Sequence, residues 1–348
     1  MASLFFWRKD KPAAPQGPAP DPVAAVPAFG PVTITTANLD APLRLPVQRV
    51  ALAVALGDDR AADPNIRLDA AQTRLLLAAS NEFARVGTEP RYTPQRPSLL
   101  PQLLEVLGDE EASLRAFSRI ISQDPHLTGE LLRAANSPLY RVSPAPVESI
   151  DRATVLLGTT GLRTLIAGAL MNPAKLAGGT GAGEFGDVNW EQTLYAASAA
   201  EAWAARNQSA DPFAAHLVAL LHGLGSVAVY RVLSDLYAAQ GVKPDAAAIA
   251  SSIETNAAVT AARIAASWGL SERMRQALEA QSAAAPVAEV APLARTLEFG
   301  LLAGALTLLC RRRRFTLQQA LEQLSLAGFS GPVTERIWDR LASAYIAH

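Results

Sequence analysis

Leu114, Phe117, Ile120 and Ile121 recur at the spacing of one helical face, and Leu127, Leu131 and Leu132 take up the same pattern six residues later. Asp124-Pro125 stands between the two runs. A carboxylate at an N-cap accepts a bond from an orphan amide, and proline at the first helical position has no amide to lose, so the pair predicts a helix start. Asn136-Ser137-Pro138 predicts the stop, because asparagine tolerates the left-handed end conformation and proline cannot continue a helix. Ala112 to Tyr140 therefore reads as two short helices joined at a sharp break, and the rest of the chain is organised around them.

The same period predicts most other elements. Asp69 caps a helix through Arg85 that ends at Gly87, and Pro90, Pro94 and Pro97 mark a linker. Leu99 to Leu107 leads into the opening pair. Ser149 starts SIDRATVLLG, which ends at Gly158, and TTGLRTLIAGALM follows. Pro173 to Val188 is Gly-rich and reads as a loop, and Asn189 to Ala205 as a helix with Trp190, Leu194 and Ala197 on one face. Asp211-Pro212 opens FAAHLVALLHGLG, with Gly223 and Gly225 expected to break it before VAVYRVLSDLY. Ile249, Ile253 and Ile264 lead to Trp268-Gly269-Leu270. Ser271 caps SERMRQALEAQ, and three more helices follow Pro292. Strand alternation is confined to a short candidate at Val32 to Thr36. The expected fold is all-α, with no repeat of fixed period.

Composition changes the picture mainly at the N-terminus. Lys11 to Pro31 is dominated by Pro, Ala and Gly and reads as an extended, disordered linker, so residues 1–35 are assigned to a tail. Phe5, Phe6 and Trp7 at its tip read as a docking tag, a weak interfacial anchor backed by Arg8 and Lys9, or a tip without a role. Residues 36–96 form an extension with one helix and a linker. Half of the residues are apolar and 18% charged, enough for a sizeable core. A formal net charge of −1 predicts no global attraction to nucleic acid or to an anionic membrane. Cys310 is the only cysteine, which excludes an intrachain disulfide and a cysteine-based metal site. Phe299 to Cys310, the best candidate span, is about a dozen residues and suits a buried helix. No transmembrane segment is expected, and the expected compartment is the cytoplasm.

Asp124-Pro125-x-Leu127, then Leu131-Leu132-Arg133, then Asn136-Ser137 resembles the N-terminal motif of the HDOD family, helical and generally non-catalytic relatives of the HD metal phosphohydrolases found in bacterial signalling proteins. The run from Ser149 to Leu157-Gly158 fits the same family order. The resemblance implies an HDOD-like helical domain over residues 97–290, with residues 291–348 as added C-terminal helices. Its motif residues here are Asp124, Pro125, Leu127, Leu132, Asn136, Ser137, Leu157, Gly158, His222 and Gly225, in structural or partner-binding roles. Each of them also has a plain reading as a cap or a packing residue.

The catalytic HD proteins need a histidine, a His-Asp pair and a later aspartate converging on metal that activates water. In this chain Leu221-His222-Gly223-Leu224-Gly225 stands where the pair belongs, with Gly223 in place of the aspartate. Gln192, within Trp190-Glu191-Gln192-Thr193, stands where the first histidine would be, and Leu278 to Ser282 lacks the histidine pair common in relatives. Of four histidines, His216 and His222 are six residues apart, roughly 240° around a helix, so they share no face. No metal or other cofactor is expected, and catalytic residues are assigned to none. Gly161 and Gly178 to Gly186 make no phosphate-binding loop, since no strand precedes a helix there. Glu254 and Asp151 read as single carboxylates without a partner.

The Arg311 to Arg314 run closes an apolar helix, where cations favour the negative end of the dipole. It reads as a solvated helix end, with a patch for an acidic partner or a nucleic-acid contact as the alternatives; without interleaved aromatics it is a thin electrostatic footprint. The expected function is non-catalytic: signal transduction or scaffolding by protein–protein interaction with signalling proteins the sequence does not name. The alternative is a metal-free nucleotide or small-ligand sensor using the degenerate cleft around His222. No nucleic-acid partner is expected, and the oligomeric state is left open.

Overall fold

A computed structural model of the chain describes residues 46–63, 69–96, 99, 101–102, 105–106, 114–123, 125–136, 146–170, 183–282 and 291–346. The tail, the strand at Val32 to Thr36, most of the Leu99 to Leu107 helix, and Asp124, Ser137 and Pro138 lie outside the described residues. Every regular element among those described is helical. In chain order they are α1 (Val47–Leu56), a 3-10 turn (Asp59–Ala62), α2 (Ala70–Arg85), α3 (Leu114–Ile121), α4 (Pro125–Ala135), α5 (Ile150–Leu170), α6 (Gly183–Asn207), α7 (Pro212–Gln240), α8 (Ala246–Ser267), α9 (Glu272–Glu279), α10 (Pro292–Arg311), α11 (Leu317–Leu326) and α12 (Pro332–Tyr345).

Side-chain caps set several of the starts. The amides of Gln72, Ala214 and Ala248 donate to Asp69 Oδ1 (2.7 Å), Asp211 Oδ1 (2.6 Å) and Asp245 Oδ1 (2.8 Å), and the Met274 amide to Ser271 Oγ (3.4 Å). Each bond satisfies one of the donors a helix start leaves open.

The centre is a close stack in the order α8, α7, α6, α10. Glycines and alanines set its spacing. A Cβ on Gly225 would come 2.3 Å from the Ala257 carbonyl oxygen, and Cβ atoms on Gly300 and Gly304 would meet Ala196 and Ala200 at 2.6–2.7 Å. Carbon atoms in contact sit ~3.5–4 Å apart, so these helices pack where no side chain fits.

Two expectations fail here. Gly223 and Gly225 do not break α7, which runs unbroken from Pro212 to Gln240; Gly223 lies against Thr193 of α6 and Gly225 against Ala257 and Ala261 of α8. Residues 183–188, read as loop, are the first turns of α6. Phe185 is buried and stacks on Tyr230 of α7 (ring centroids 4.2 Å, 15° between planes), and this packing outweighs the Gly-rich composition. Glu184 in the first turn suits the positive end of the helix dipole.

The unbroken α7 and the twenty-residue α10 also change the reading of span length. Both are long and apolar enough to cross a membrane by length and composition, while most of the apolar stretch of each is buried within the protein.

The flanks close around this stack. α3, α4 and α5 pack on one another, and α5 reaches α7. α1 lies across α6, α8 and α10, and α2 packs on α7 and α8. The proline-marked segment after α2 runs against the same helices: Trp268 Nε1 donates to the Pro94 carbonyl (3.0 Å), Arg96 Nη1 to the Trp268 carbonyl (3.1 Å) and Tyr92 Oη to Asp235 Oδ2 (3.0 Å). At the far end Phe299, Phe329, Ile337, Trp338 and Leu341 join α10–α12 into a second apolar cluster.

Candidate functional site

The motif residues read from the sequence fall into two separate groups. Leu127 and Leu157 are buried in the main core, and Leu132 packs partly buried against it. Pro125 is the first residue of α4. Asn136, just past the end of α4, works through its side chain. Its Nδ2 donates to the carbonyls of Leu132 and Val147 (both 2.8 Å), and the Val147 amide donates to its Oδ1 (2.7 Å). This two-way bond fastens the end of α4 to the chain entering α5. Gly158, at φ 66° and ψ 175°, kinks α5 as the Leu-Gly break predicted, in a backbone region that side-chain-bearing residues rarely adopt.

His222 and Gly225 form the other group, on α7. The α6 side chains that meet this stretch are Asn189 and Thr193, one helical turn apart. Asn189, almost fully buried, donates from Nδ2 to the Gly223 carbonyl (3.2 Å), and the Thr193 hydroxyl donates to the Asn189 carbonyl (2.7 Å). A Cβ on Gly223 would lie 2.2 Å from Thr193 Oγ1, 2.5 Å from its Cγ2 and 2.9 Å from its Cβ. A side chain at Gly223, the position read from the sequence as the aspartate's, would therefore meet a β-branched side chain with little rotamer freedom. Gln192, which stood for the first histidine, instead donates from Nε2 to Gln48 Oε1 of α1 (3.3 Å).

The histidines divide as their spacing predicted. His216 is fully buried, with Nδ1 3.1 Å from Glu201 Oε2. His222 is partly buried, and loss of hydration pushes its imidazole down to about 4, so it is neutral at physiological pH. In the Leu278 to Ser282 stretch, Gln281 Nε2 donates to the carbonyls of Ala277 (3.1 Å) and Ala294 (3.0 Å), tying α9 to α10. Among the described residues no group of three or more His, Cys, Asp or Glu stands close enough to hold a metal ion. Cys310 is buried, and desolvation raises its thiol to about 12, far from a reactive thiolate.

Two carboxylate and arginine readings are corrected. Glu254 has a partner: Arg49 of α1, 4% exposed, donates to its Oε2 from Nη1 (2.7 Å). The Arg311 to Arg314 run is more than a solvated helix end. Arg312 pairs with Glu191 Oε2 (2.6 Å), Arg311 lies 3.4 Å from Glu191 Oε1 and donates to Tyr195 Oη (2.9 Å), and Arg314 pairs with Asp59 (3.0 Å). Three of the four arginines face carboxylates of their own chain, on α6 and the 3-10 turn. Sequence pattern alone pointed to none of Asn189, Thr193 or Arg49, because each acts across a tertiary contact rather than within a motif.

Residues 93–284, more than half of the chain, match the HDOD domain. The chain belongs to the HDOD family. No curated protein matched it. Its fold is similar to an HDOD domain protein with unknown function from Geobacter sulfurreducens (TM-score 0.55, 22% identity, 80% of this chain and 96% of that one). It is also similar to a candidate signal transduction protein from Marinobacter aquaeolei VT8 (0.53, 18%, 82% and 67%). A candidate metal-dependent phosphohydrolase from Shewanella amazonensis SB2B shares the fold as well (0.51, 16%, 79% and 99%). These likenesses cover about four fifths of the chain, so they reach beyond the HDOD match into the flanking helices. In this HDOD chain the α6–α7 contact at Gly223 lies inside the matched residues, whereas α1, α2 and α10–α12 lie outside them.

Proposed function

We propose that this HDOD protein is a non-catalytic signal-transduction or scaffold protein that acts by binding a partner protein through its helical surface. The observation that carries the reading is the filled notch at Gly223. In the catalytic relatives the residue after the histidine must supply a carboxylate to a metal, and here that direction is taken up by Thr193. With no metal-holding cluster among the described residues, a neutral His222 offers one nitrogen ligand where a hydrolytic metal needs several. The signalling assignment rests on family membership, and the similarity to the candidate signal transduction protein of Marinobacter aquaeolei agrees with it. The ligand-sensor alternative has less support, because the sequence flanking His222 offers mainly Ala, Leu and Gly.

The test is one purification of the full chain from native lysate with three readouts: co-purifying protein, bound metal and nucleotide released on denaturation. The reading expects a stoichiometric protein partner that is retained by a His222→Gln variant. Stoichiometric Fe, Mn or Zn with phosphoester hydrolysis that His222→Gln abolishes would overturn it. Nucleotide recovered without a protein partner would favour the sensor.

A further inference from the structure

α1 is too short to be a stable helix by itself. It is ten residues long, begins at Pro46 without a side-chain cap and has no acidic residue in its first turn. An isolated helix below ~12–15 residues is marginal in water even with good formers. Its buried apolar residues are Val47 and Leu52 with the small Ala51, Ala53 and Ala55, and Val50, Val54 and Leu56 pack partly buried against the two apolar clusters.

A polar clamp supplies the rest. Arg49, 4% exposed, uses Nε on the Ala61 carbonyl (3.0 Å), Nη1 on Glu254 Oε2 (2.7 Å) and Nη2 on the carbonyls of Asp63 (3.2 Å) and Ala247 (3.3 Å). One guanidinium thus joins α1, the segment after it and the start of α8. Gln48 adds the bond from Gln192 of α6, and Asp59 of the following turn pairs with Arg314. The whole unit spans the edge where α8, α6 and α10 meet.

We infer that α1 is a strap whose docking on the α6–α8–α10 edge is an equilibrium of its own, governed by the Arg49–Glu254 pair, and that undocking melts α1 and uncovers α6 around Gln192. The undocked segment has no reason to stay helical, so release and unfolding of the strap are one event. Such a local opening releases a peripheral element, while α7 at the centre of the stack stays closed. Glu254 is 45% exposed, so salt and partner charges reach the pair from outside while Arg49 remains buried.

Hydrogen exchange on the full chain tests this, comparing wild type with Glu254→Gln at low and at high salt. Glu254→Gln keeps the size of the side chain and removes its charge. Expected is on the order of a tenfold faster exchange across residues 47–56 and at the α6 amides around Gln192, with α7 and α12 unchanged. High salt should speed exchange of the wild-type strap and leave the variant nearly unaffected. Equal acceleration in α1 and α7 would mean that α1 opens only with the whole protein, and it would overturn the inference. Unchanged exchange of residues 47–56 in Glu254→Gln would overturn it too, by showing that the pair does not govern docking.

Discussion

The central stack and its periphery differ in what sets their contacts. In the stack of α8, α7, α6 and α10, helices approach because side chains are missing: Gly225 sits against the Ala257 carbonyl, Gly300 and Gly304 against Ala196 and Ala200, and Gly223 against Thr193. At the periphery, long or polar side chains reach backbone carbonyls on a neighbour. Arg49 does so for α1, Asn136 for the α4–α5 link, Gln281 for α9 and α10, and Trp268 for the segment after α2. The contrast explains why the notch at Gly223, read from the sequence as the HD-type position, is closed. It lies in the stack, where closeness of backbones is the stabilising device, so a carboxylate there has no room. The periphery has room for exchange and for charge, and it is there that changes of state belong.

The largest break of the comparison is Gly223→Asp. It forces a side chain into Thr193 and buries a carboxylate without a partner, and should cost more than about 3 kcal/mol in urea unfolding. Adding Thr193→Ala should recover part of that loss, since the two positions share one contact. Full additivity of the two substitutions would show that they do not meet.

His222 sharpens the stack side through pH. Its folded imidazole titrates near 4 against 6.5 as its ordinary value, so between these the unfolded chain binds the extra proton. Its contribution to stability is constant above about pH 6.5 and is lost as pH falls toward 4. Between pH 7 and 4, His222→Gln should lose about 1–3 kcal/mol less than wild type, the lower end reflecting the partial exposure of the ring. Parallel stability curves for the two proteins would place His222 in water.

On the periphery, Asn136→Ala removes both bonds to Val147 and should cost about 1–3 kcal/mol, with faster amide exchange at Val147. Unchanged stability would make the motif asparagine a surface residue. The smallest effect is Asp211→Ala, which deletes one cap and should cost about 1 kcal/mol, read from the thermal midpoint.

Much of the helix layout was legible in the sequence. Asp211-Pro212, Asp69 and Ser271 announced their helices, and Leu157-Gly158 announced the kink, because caps and left-handed glycines are local chemistry. The all-α fold followed from helical period, and the HDOD family from the resemblance carried by the residues between Asp124 and Ser137. What stayed hidden was the stack. A glycine that ends a helix and one that lets a neighbouring helix approach look alike in one dimension, so Gly223 and Gly225 were read as a break. Glu254 was read as partnerless because Arg49 lies about two hundred positions away in sequence. Gln192 was placed by motif register, which names a position and leaves its direction open, and the structure turns it toward Gln48.

The most direct test of the account is the stability of Gly223→Ala, measured by urea unfolding. In a helix interior facing water, replacing glycine by alanine gains about 0.5–1 kcal/mol. The account predicts the opposite sign, a loss of about 1–3 kcal/mol, because the new methyl meets Thr193. A gain would mean that the notch beside His222 is open, and would contradict the claim that packing has replaced the catalytic position.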